Sequence, residues 1–305
     1  SNPAIGTFAN RSFTNYRLIM GYLHIDNLYA NQTILLFKQC YALEKIHGSS
    51  AHISWRGDKN SVRFFTGGSY PELAAMFDVE NLTQQFSKLF GDKKVIIYGE
   101  HYGGKEQGMS QTYGELPRFA AFDVKVGELW LDVPKAEAIC RNLWIPFVDY
   151  TLVSTDLDAL NFERDKDSVQ AILNGMGAGK LREGVVLRPL VELRLNNGNR
   201  VICKHKRDEF RETKTPRIVS PETLQVLTDA AAIADEWVTP MRLNHVLGKL
   251  PEATTIRHTK AVIEAMIADV EREGRNEILQ SPEVRTAIGR ATALLFHERL
   301  KHNRK

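Results

Sequence analysis

The sequence predicts an α+β fold in which antiparallel sheets with flanking helices precede a small all-helical C-terminal part. Two observations support this prediction. Up to residue 215, short runs rich in Val, Ile, Phe and Tyr are broken by Gly, Asn and Asp, as expected of strands joined by turns. From residue 216 onward, apolar residues recur at the three- and four-residue spacing of a helix.

The β-type runs of the first part are short and rich in aromatic and β-branched residues. An Asn-Gly pair within residues 193–204 lies between two such runs and predicts a hairpin. Helical spacing predicts helices at residues 71–90 and 134–144, between the strands. The predicted strands occupy residues 50–55, 62–67, 94–100, 119–126, 184–189 and 200–206.

Capping signals mark the helices of the C-terminal part. Apolar residues recur at helical spacing within residues 263–270 and 284–295, and Gly274 is suited to end the first of these helices. We predict about four helices here, and two domains, at residues 1–215 and 216–305. Three pairs place a capping oxygen before a proline suited to the first helical position: Ser220-Pro221, Thr239-Pro240 and Ser281-Pro282.

Composition excludes several classes of protein. No apolar run reaches the roughly 18 residues of a membrane span, and the N-terminus lacks the apolar core of a signal peptide, so we expect no membrane partner. Cys40, Cys140 and Cys203 are odd in number and unpatterned, which argues against a disulfide framework or a zinc site and favours a cytoplasmic setting. The net charge of +3 alone does not imply nucleic acid. The segment 204–217 is nevertheless basic.

Lys45 has an unusual setting, at the end of a β-type run and directly before a turn. Gly48 has no Cβ, so a ligand or the chain itself can approach closely, and the Ser49 hydroxyl could meet an anion. A lysine acts as a nucleophile only when neutral, and an ordinary lysine pKa of about 10.4 opposes this at neutral pH. Cationic neighbours or a bound metal would lower that pKa. A solvated surface lysine remains the alternative.

Other polar residues stand in apolar surroundings along the chain. Glu100 and Glu183 lie at strand ends beside glycines, where a simple strand-edge charge is the alternative. Lys204 and Lys206 point to one face of their predicted strand, which calls for an anion or for solvent. Phe122 could stack on a base, although its residue type alone favours a place in the core.

Five short segments, taken in order, resemble the motifs of the covalent nucleotidyltransferases, which are the polynucleotide ligases and mRNA capping enzymes. The motif EKIHG, at residues 44–48, resembles that of the RNA ligase 2 family, which includes the bacteriophage T4 enzyme and the trypanosome RNA-editing ligases. Residues 193–214 and 236–250 are also similar to that family, so the resemblance covers nearly the whole chain. The five segments are KIHG (45–48), YGE (98–100), FD (122–123), EGVV (183–186) and KHK (204–206).

The resemblance implies a reaction with ATP and Mg²⁺ or Mn²⁺. Lys45 would attack the α-phosphate, expel pyrophosphate and hold AMP as a phosphoramidate. Glu183 would work with the catalytic metal, and Lys204 and Lys206 would bind the α-phosphate. AMP would then pass to an RNA 5′-phosphate, which a 3′-hydroxyl attacks to seal the strand.

The resemblance also implies a nucleotide pocket. Glu44 would help to select adenine, Glu100 would hold the ribose hydroxyls, and Phe122 would stack on the base. The family usually places an arginine where Phe65 stands here, and Arg63, on the same strand face, is the predicted substitute. The remaining nucleotide-binding residues implied are Ile46, His47, Gly48 and Ser49, of which His47 and Ser49 would shape the phosphate side.

The implied substrate is RNA, most simply a nicked duplex, bound by a monomer. The helical part and the basic segment would grip the duplex; a merely stabilising appendage is the alternative. Two rival functions stay open. DNA ligases and capping enzymes usually carry a β-rich domain after the catalytic domain, whereas residues 220–305 have a helical pattern. The first rival is therefore a DNA ligase or capping enzyme, and the second is a nucleic-acid-binding relative without catalysis.

Overall fold

The computed structural model describes residues 21–66, 70–219 and 227–303. The predicted capping pair Ser220-Pro221 and the last residue of the strand predicted at 62–67 lie outside these ranges. Within the described ranges, no helix has the length and apolar character needed to cross a bilayer.

Within these ranges, nine strands form two antiparallel sheets, which confirms the predicted α+β class. The first sheet has the order β7-β1-β8-β9 and the second the order β3-β2-β4-β5-β6 in the strand list that follows. The strands are β1 (Gln39–Lys45), β2 (Ser49–Arg56), β3 (Ser61–Thr66), β4 (Val95–Gly103), β5 (Pro117–Val126), β6 (Leu129–Trp130), β7 (Tyr150–Ser154), β8 (Gly184–Arg188) and β9 (Cys203–Lys206).

Each predicted strand has a counterpart, and the largest differences are at β4, which runs on to Gly103 rather than ending at residue 100, and at β9. That strand begins at Cys203 rather than at residue 200, because the preceding residues form a tight turn closed by Leu195 N–H donating to Asn199 O at 2.8 Å. The predicted hairpin is therefore reduced to the single bridge between Arg194 and Arg200. The short strand β6 and the edge strand β7 were not predicted.

The described residues also contain ten α-helices. The single helix predicted at 71–90 is two helices, because Asp78 interrupts it and caps the second by accepting from Asn81 N. The helices are α1 (Tyr70–Ala75), α2 (Val79–Phe90), α3 (Ser110–Tyr113), α4 (Val133–Asn142), α5 (Leu157–Arg164), α6 (Val169–Leu173), α7 (Ala230–Trp237), α8 (Pro240–Gly248), α9 (Thr259–Glu273) and α10 (Pro282–His302).

The helices α7–α10, called the C-terminal helices below, pack around a core of their own. Trp237, Met266, Ile288 and Phe296 are fully buried there. The predicted caps form: the Thr239 hydroxyl accepts from Arg242 N, and the Ser281 hydroxyl accepts from Val284 N. Gly274 ends α9 as predicted.

A separate core lies beneath the second sheet, where Trp55 stacks on Phe86. All three cysteines of the chain are buried as free thiols: Cys40, Cys140 and Cys203.

Strand pairing brings distant polar residues together. Lys45 ends β1 and pairs with Gly184 of β8, which pairs in turn with Lys206 of β9. Four residues after Lys45 the chain enters β2 of the other sheet, where Ser50 pairs with Glu100 of β4. The turn between β1 and β2 therefore connects the two sheets at the point where their polar strand ends meet.

Candidate active site

A cleft of about 940 Å³ is lined by residues of both sheets and of the C-terminal helices. Lys45, at the end of β1, lines it together with Glu183, which directly precedes β8. Lys45 Nζ donates to Glu183 Oε2 at 2.9 Å, and His47 Nδ1 lies 3.1 Å from the same oxygen. Lys206 Nζ lies 2.9 Å from the other oxygen, Oε1. One buried carboxylate therefore contacts three nitrogen-bearing side chains.

The charge balance fixes the ionisation of this group. Burial alone would raise the pKa of Glu183, but Lys206, Lys45 and His47 outweigh burial and hold it well below its usual value. Burial alone would lower the pKa of Lys206, but Glu183 and Glu212 outweigh it and raise that pKa. Glu183 is thus an anion and Lys206 a cation at neutral pH.

Lys204 and Lys206 both line the cleft, two residues apart on β9. Each has an acidic partner from outside the two sheets. Lys204 Nζ donates to Glu273 of α9 at 2.9 Å, and Lys206 Nζ donates to Glu212 of the basic segment. The lysine pair therefore meets anions in this structure, as its placement on an apolar strand requires.

Glu100 lies at the cleft and accepts from Gly48 N at 3.0 Å. Burial raises the pKa of Glu100 to about 7; the charge of Glu183 adds to the rise, and Lys45 opposes it. Gly48 is required by the chain itself, because a Cβ there would lie 2.3 Å from the carbonyl oxygen of His101. Ser49, which also lines the cleft, donates its hydroxyl to Glu106.

Phe122 lines the cleft, and Tyr22 packs edge-on against it with ring centroids 4.9 Å apart. Asp123, the next residue, is a carboxylate in a mostly apolar strand, and its side chain is buried. It accepts from Arg188 at 3.0 Å, from Arg200 at 2.6 Å and from the Tyr22 hydroxyl at 2.7 Å. Sequence reasoning missed Tyr22 and Arg200, although an acid inside an apolar strand indicated that some partner existed.

Not every predicted residue faces the cleft with its side chain. The Glu44 carboxylate is buried and accepts from Ser168 Oγ and from Gln170 N, and Ile46 belongs to a hydrophobic core. Both residues still contribute to the cleft wall. Arg63 is exposed and does not line the cleft. Phe65 does line the cleft, and its ring stacks on that of His52 with the centroids 4.4 Å apart.

The C-terminal helices supply part of the cleft wall, which sequence reasoning missed. Cations on helices give no signal in a sequence, because most of them are solvated. The contributing residues are His245, Gly248, Lys249, Arg272 and Glu273.

Glu183 is the candidate ligand for a divalent cation, which would take the place of Lys45 and Lys206 at its two oxygens. Its carboxylate is ionised, and hard oxygen ligands suit Mg²⁺ or Mn²⁺. A second group does not fit one: Glu212, His245 and Asp269 offer ligand atoms within 4.8 Å of one another. Arg242 Nη1 already lies 2.6 Å from Asp269 and 3.3 Å from Glu212, so a guanidinium supplies the positive charge there.

The chain is similar to a variant of the Naegleria gruberi RNA ligase with AMP and manganese, at 13% identity and a TM-score of 0.48, over 63% of this chain and 59% of that one. It is similar to the same ligase with pyrophosphate at 13% identity and a TM-score of 0.45, over 68% of this chain and 62% of that one. The match thus spans less than two thirds of each Naegleria chain. Curated proteins give no match.

Residues 38–206 match the model of the family described as RNA ligase. This segment is more than half of the 305 residues, and it contains Lys45, Glu100, Glu183 and both lysines of β9. The chain therefore belongs to the RNA ligase family.

Proposed function

We propose that this protein is an ATP-dependent RNA ligase of the RNA ligase 2 type, which seals an RNA 5′-phosphate to a 3′-hydroxyl through a lysyl-AMP intermediate. The observation that supports it most directly is the contact of Lys45 with Glu183, itself bound to Lys206, at the wall of a cleft large enough for a nucleotide. Nick sealing in duplex RNA, as in RNA repair, is the substrate we propose.

In the first step the Lys45 amine gives up a proton and attacks the α-phosphorus of ATP. Glu183 accepts a hydrogen bond from Lys45 and orients it. Lys204 and Lys206 would exchange their carboxylate partners for oxygens of the α-phosphate and stabilise the charge that develops on it. Positioning and electrostatics are the main means by which proteins accelerate phosphoryl transfer, so two lysines beside an anchored nucleophile are suited to this step.

The nucleotide would be held by residues around the same cleft. Phe122 offers an aromatic face to adenine, and the Glu100 carboxylate offers acceptors to the ribose hydroxyls. Mg²⁺ or Mn²⁺, when bound at Glu183, would neutralise phosphate charge. Adenine selection by Glu44 would use its backbone, since its carboxylate is engaged with Ser168 and Gln170. A contribution of Arg63 to phosphate binding remains a prediction.

We further propose a catalytic domain at residues 1–215 and a helical RNA-binding domain at residues 216–305, in a monomer. The basic segment 204–217 would contact the phosphates of the RNA duplex together with the C-terminal helices. Contacts of this kind release counterions, so RNA affinity should fall steeply between low and high salt. Tight RNA binding that does not change with salt would contradict this assignment.

Incubation with α-labelled ATP and Mg²⁺ tests the first step. We expect an acid-labile label on the wild-type chain and none on Lys45→Ala, with Lys59→Ala as a lysine control from an exposed turn. Absence of label from the wild type would favour a nucleic-acid-binding relative without catalysis.

Sealing assays on nicked duplexes of RNA, DNA and hybrids test the substrate. The strand with the 3′-hydroxyl is varied separately from the strand with the 5′-phosphate. We expect sealing to require RNA on at least one side of the nick. Equal sealing of all-DNA nicks would favour a DNA ligase instead.

A further inference from the structure

The C-terminal helices close over the cleft through contacts at two places. Gly248 of α8 packs against Gln107 so closely that a Cβ on Gly248 would lie 2.2 Å from Gln107 Nε2. Glu273 of α9 binds Lys204 of β9 at 2.9 Å. Both contacts involve residues that line the cleft. The helices therefore contribute side chains to the same space as Lys45.

Two of those side chains are cations that share one carboxylate. Lys249 Nζ lies 3.6 Å from Asp269, and Arg272 also pairs with Asp269. The side chain of Asp269 is only 3% exposed and binds Arg242 as well, at 2.6 Å. Glu212 and Glu273 add two acids, 3.3 Å from Arg242 and 3.9 Å from Arg272, but they also pair with Lys206 and Lys204. Five cations thus share three acids, and the pair at the cleft is incompletely neutralised.

Exposure and ionisation agree with this imbalance. The Lys249 side chain is 50% exposed and that of Arg272 is 37% exposed, so both can reach a ligand in the cleft. Burial lowers the pKa of Lys249 even though Asp269 opposes the shift, and Arg272 lowers it further. A bound anion would relieve the unfavourable proximity of Lys249 and Arg272.

The proposed reaction needs cations at a place that the two sheets do not supply. Lys204 and Lys206 are assigned to the α-phosphate, and Lys45 is the nucleophile. Among the described Lys and Arg residues that line the cleft, Arg188 is buried and committed to Asp123. Only Lys249 and Arg272 then remain for the rest of the triphosphate.

We propose that Lys249 and Arg272 bind the β- and γ-phosphates of ATP and the pyrophosphate that departs, an inference that rests on the proposed ligase function. As the bond from the Lys45 nitrogen to the α-phosphorus forms, the bond from that phosphorus to the bridging oxygen breaks. The electron pair goes to the bridging oxygen, and the lysine proton goes to solvent. Lys249 and Arg272 stabilise the charge that appears on the leaving pyrophosphate. Asp269 is the positioning residue that holds both cations at the cleft.

Measurements with ATP and pyrophosphate distinguish binding of the β- and γ-phosphates from a purely structural role of Lys249 and Arg272. In Lys249→Ala and Arg272→Ala, we expect the KM for ATP in lysine labelling to rise about tenfold, the loss of one charge-assisted contact. The reverse reaction, in which added pyrophosphate removes AMP from labelled enzyme as ATP, should slow by a similar factor. Sealing of chemically prepared 5′-adenylated RNA brings no β- or γ-phosphate and should keep its wild-type rate.

Matched variants control for structure. Lys260→Ala alters a lysine of α9 that is 89% exposed, and it should leave all three measurements unchanged. Lys249→Arg should restore pyrophosphate reactivity, and thermal unfolding establishes that each variant is folded.

Two results would overturn the inference. One is wild-type pyrophosphate reactivity in both alanine variants. The other is an equal loss with adenylated RNA, which would indicate a structural role. Failure of the proposed ligase function itself looks different, because the wild type would then accept no label from ATP.

Discussion

Lys45 Nζ donates a 2.9 Å hydrogen bond to Glu183 Oε2, across 138 residues of chain. The pairing of β1 with β8 produces this contact, since Lys45 is opposite Gly184 in the register. Glu183 also binds Lys206, so it joins the proposed nucleophile to a proposed phosphate-binding lysine.

Glu183→Gln should therefore impair lysine adenylylation by about 100-fold or more, as expected for loss of a preorganised charged group. The amide keeps the size of the side chain but lacks the anionic oxygens that orient Lys45 and hold Lys206. Rates of label incorporation at saturating ATP measure the effect. Asp167→Asn, on a loop carboxylate outside the cleft, is the control. A wild-type rate in the Glu183 variant would contradict the proposed mechanism.

Glu100 should make stability depend on pH. Its pKa is raised to about 7 in the folded protein from an ordinary value of 4.5. The folded state therefore binds this proton more tightly than the unfolded state, and stability falls as pH rises from about 4.5 to 7. Urea unfolding across this range should show a smaller decline for Glu100→Gln than for the wild type. Parallel curves for the two proteins would refute the assignment.

Gly48→Ala should disturb the turn that joins the two sheets. The new Cβ would lie 2.3 Å from the His101 carbonyl oxygen, so β2 and β4 must separate locally. Overpacking of this kind costs about 1–3 kcal/mol, and label incorporation should fall with it. Ser50→Ala, at an exposed position two residues on, should remain near wild type in both respects. Unchanged stability of Gly48→Ala would contradict this prediction and show that the backbone around His101 can shift at little cost in free energy.

Asp123→Ala should be strongly destabilising. It leaves Arg188 and Arg200 buried with a single remaining acidic partner, Glu192. Removal of one side of a buried ion pair typically costs about 3–5 kcal/mol of unfolding free energy, measurable by urea denaturation. Asp58→Ala, which removes an exposed partner of Arg56, should leave the free energy of unfolding near that of the wild type. Similar costs for the two variants would argue against a structural role of the Asp123 network.

The parts of the site that sequence could predict are those set by strand ends. Lys45, Glu183 and Lys206 each end or adjoin a strand, and ordered motifs of short range identify them. Glu100, which was also expected at a strand end, lies inside β4 because that strand continues to Gly103. Gly48 was assigned to close approach by a ligand or by the chain, and only the structure identifies the chain as the neighbour.

Other parts depend on contacts that no local pattern records. Asp123 was visibly out of place, yet its partner Arg200 is 77 residues away. The cleft wall made by Lys249 and Arg272 depends on how the C-terminal helices dock against the sheets. Docking is decided by the summed surface contacts of distant segments, so it leaves no periodic signal in the sequence.

The buried cysteines make the folded protein well suited to thiol labelling. The thiolate is the form that reacts with alkylating reagents, and burial raises the pKa of Cys40 to about 12 and raises those of Cys140 and Cys203 as well. All three should therefore resist maleimide dyes under native conditions. One cysteine introduced in place of exposed Lys260 would then carry the dye alone and would give a fluorescent label at a single known position of α9.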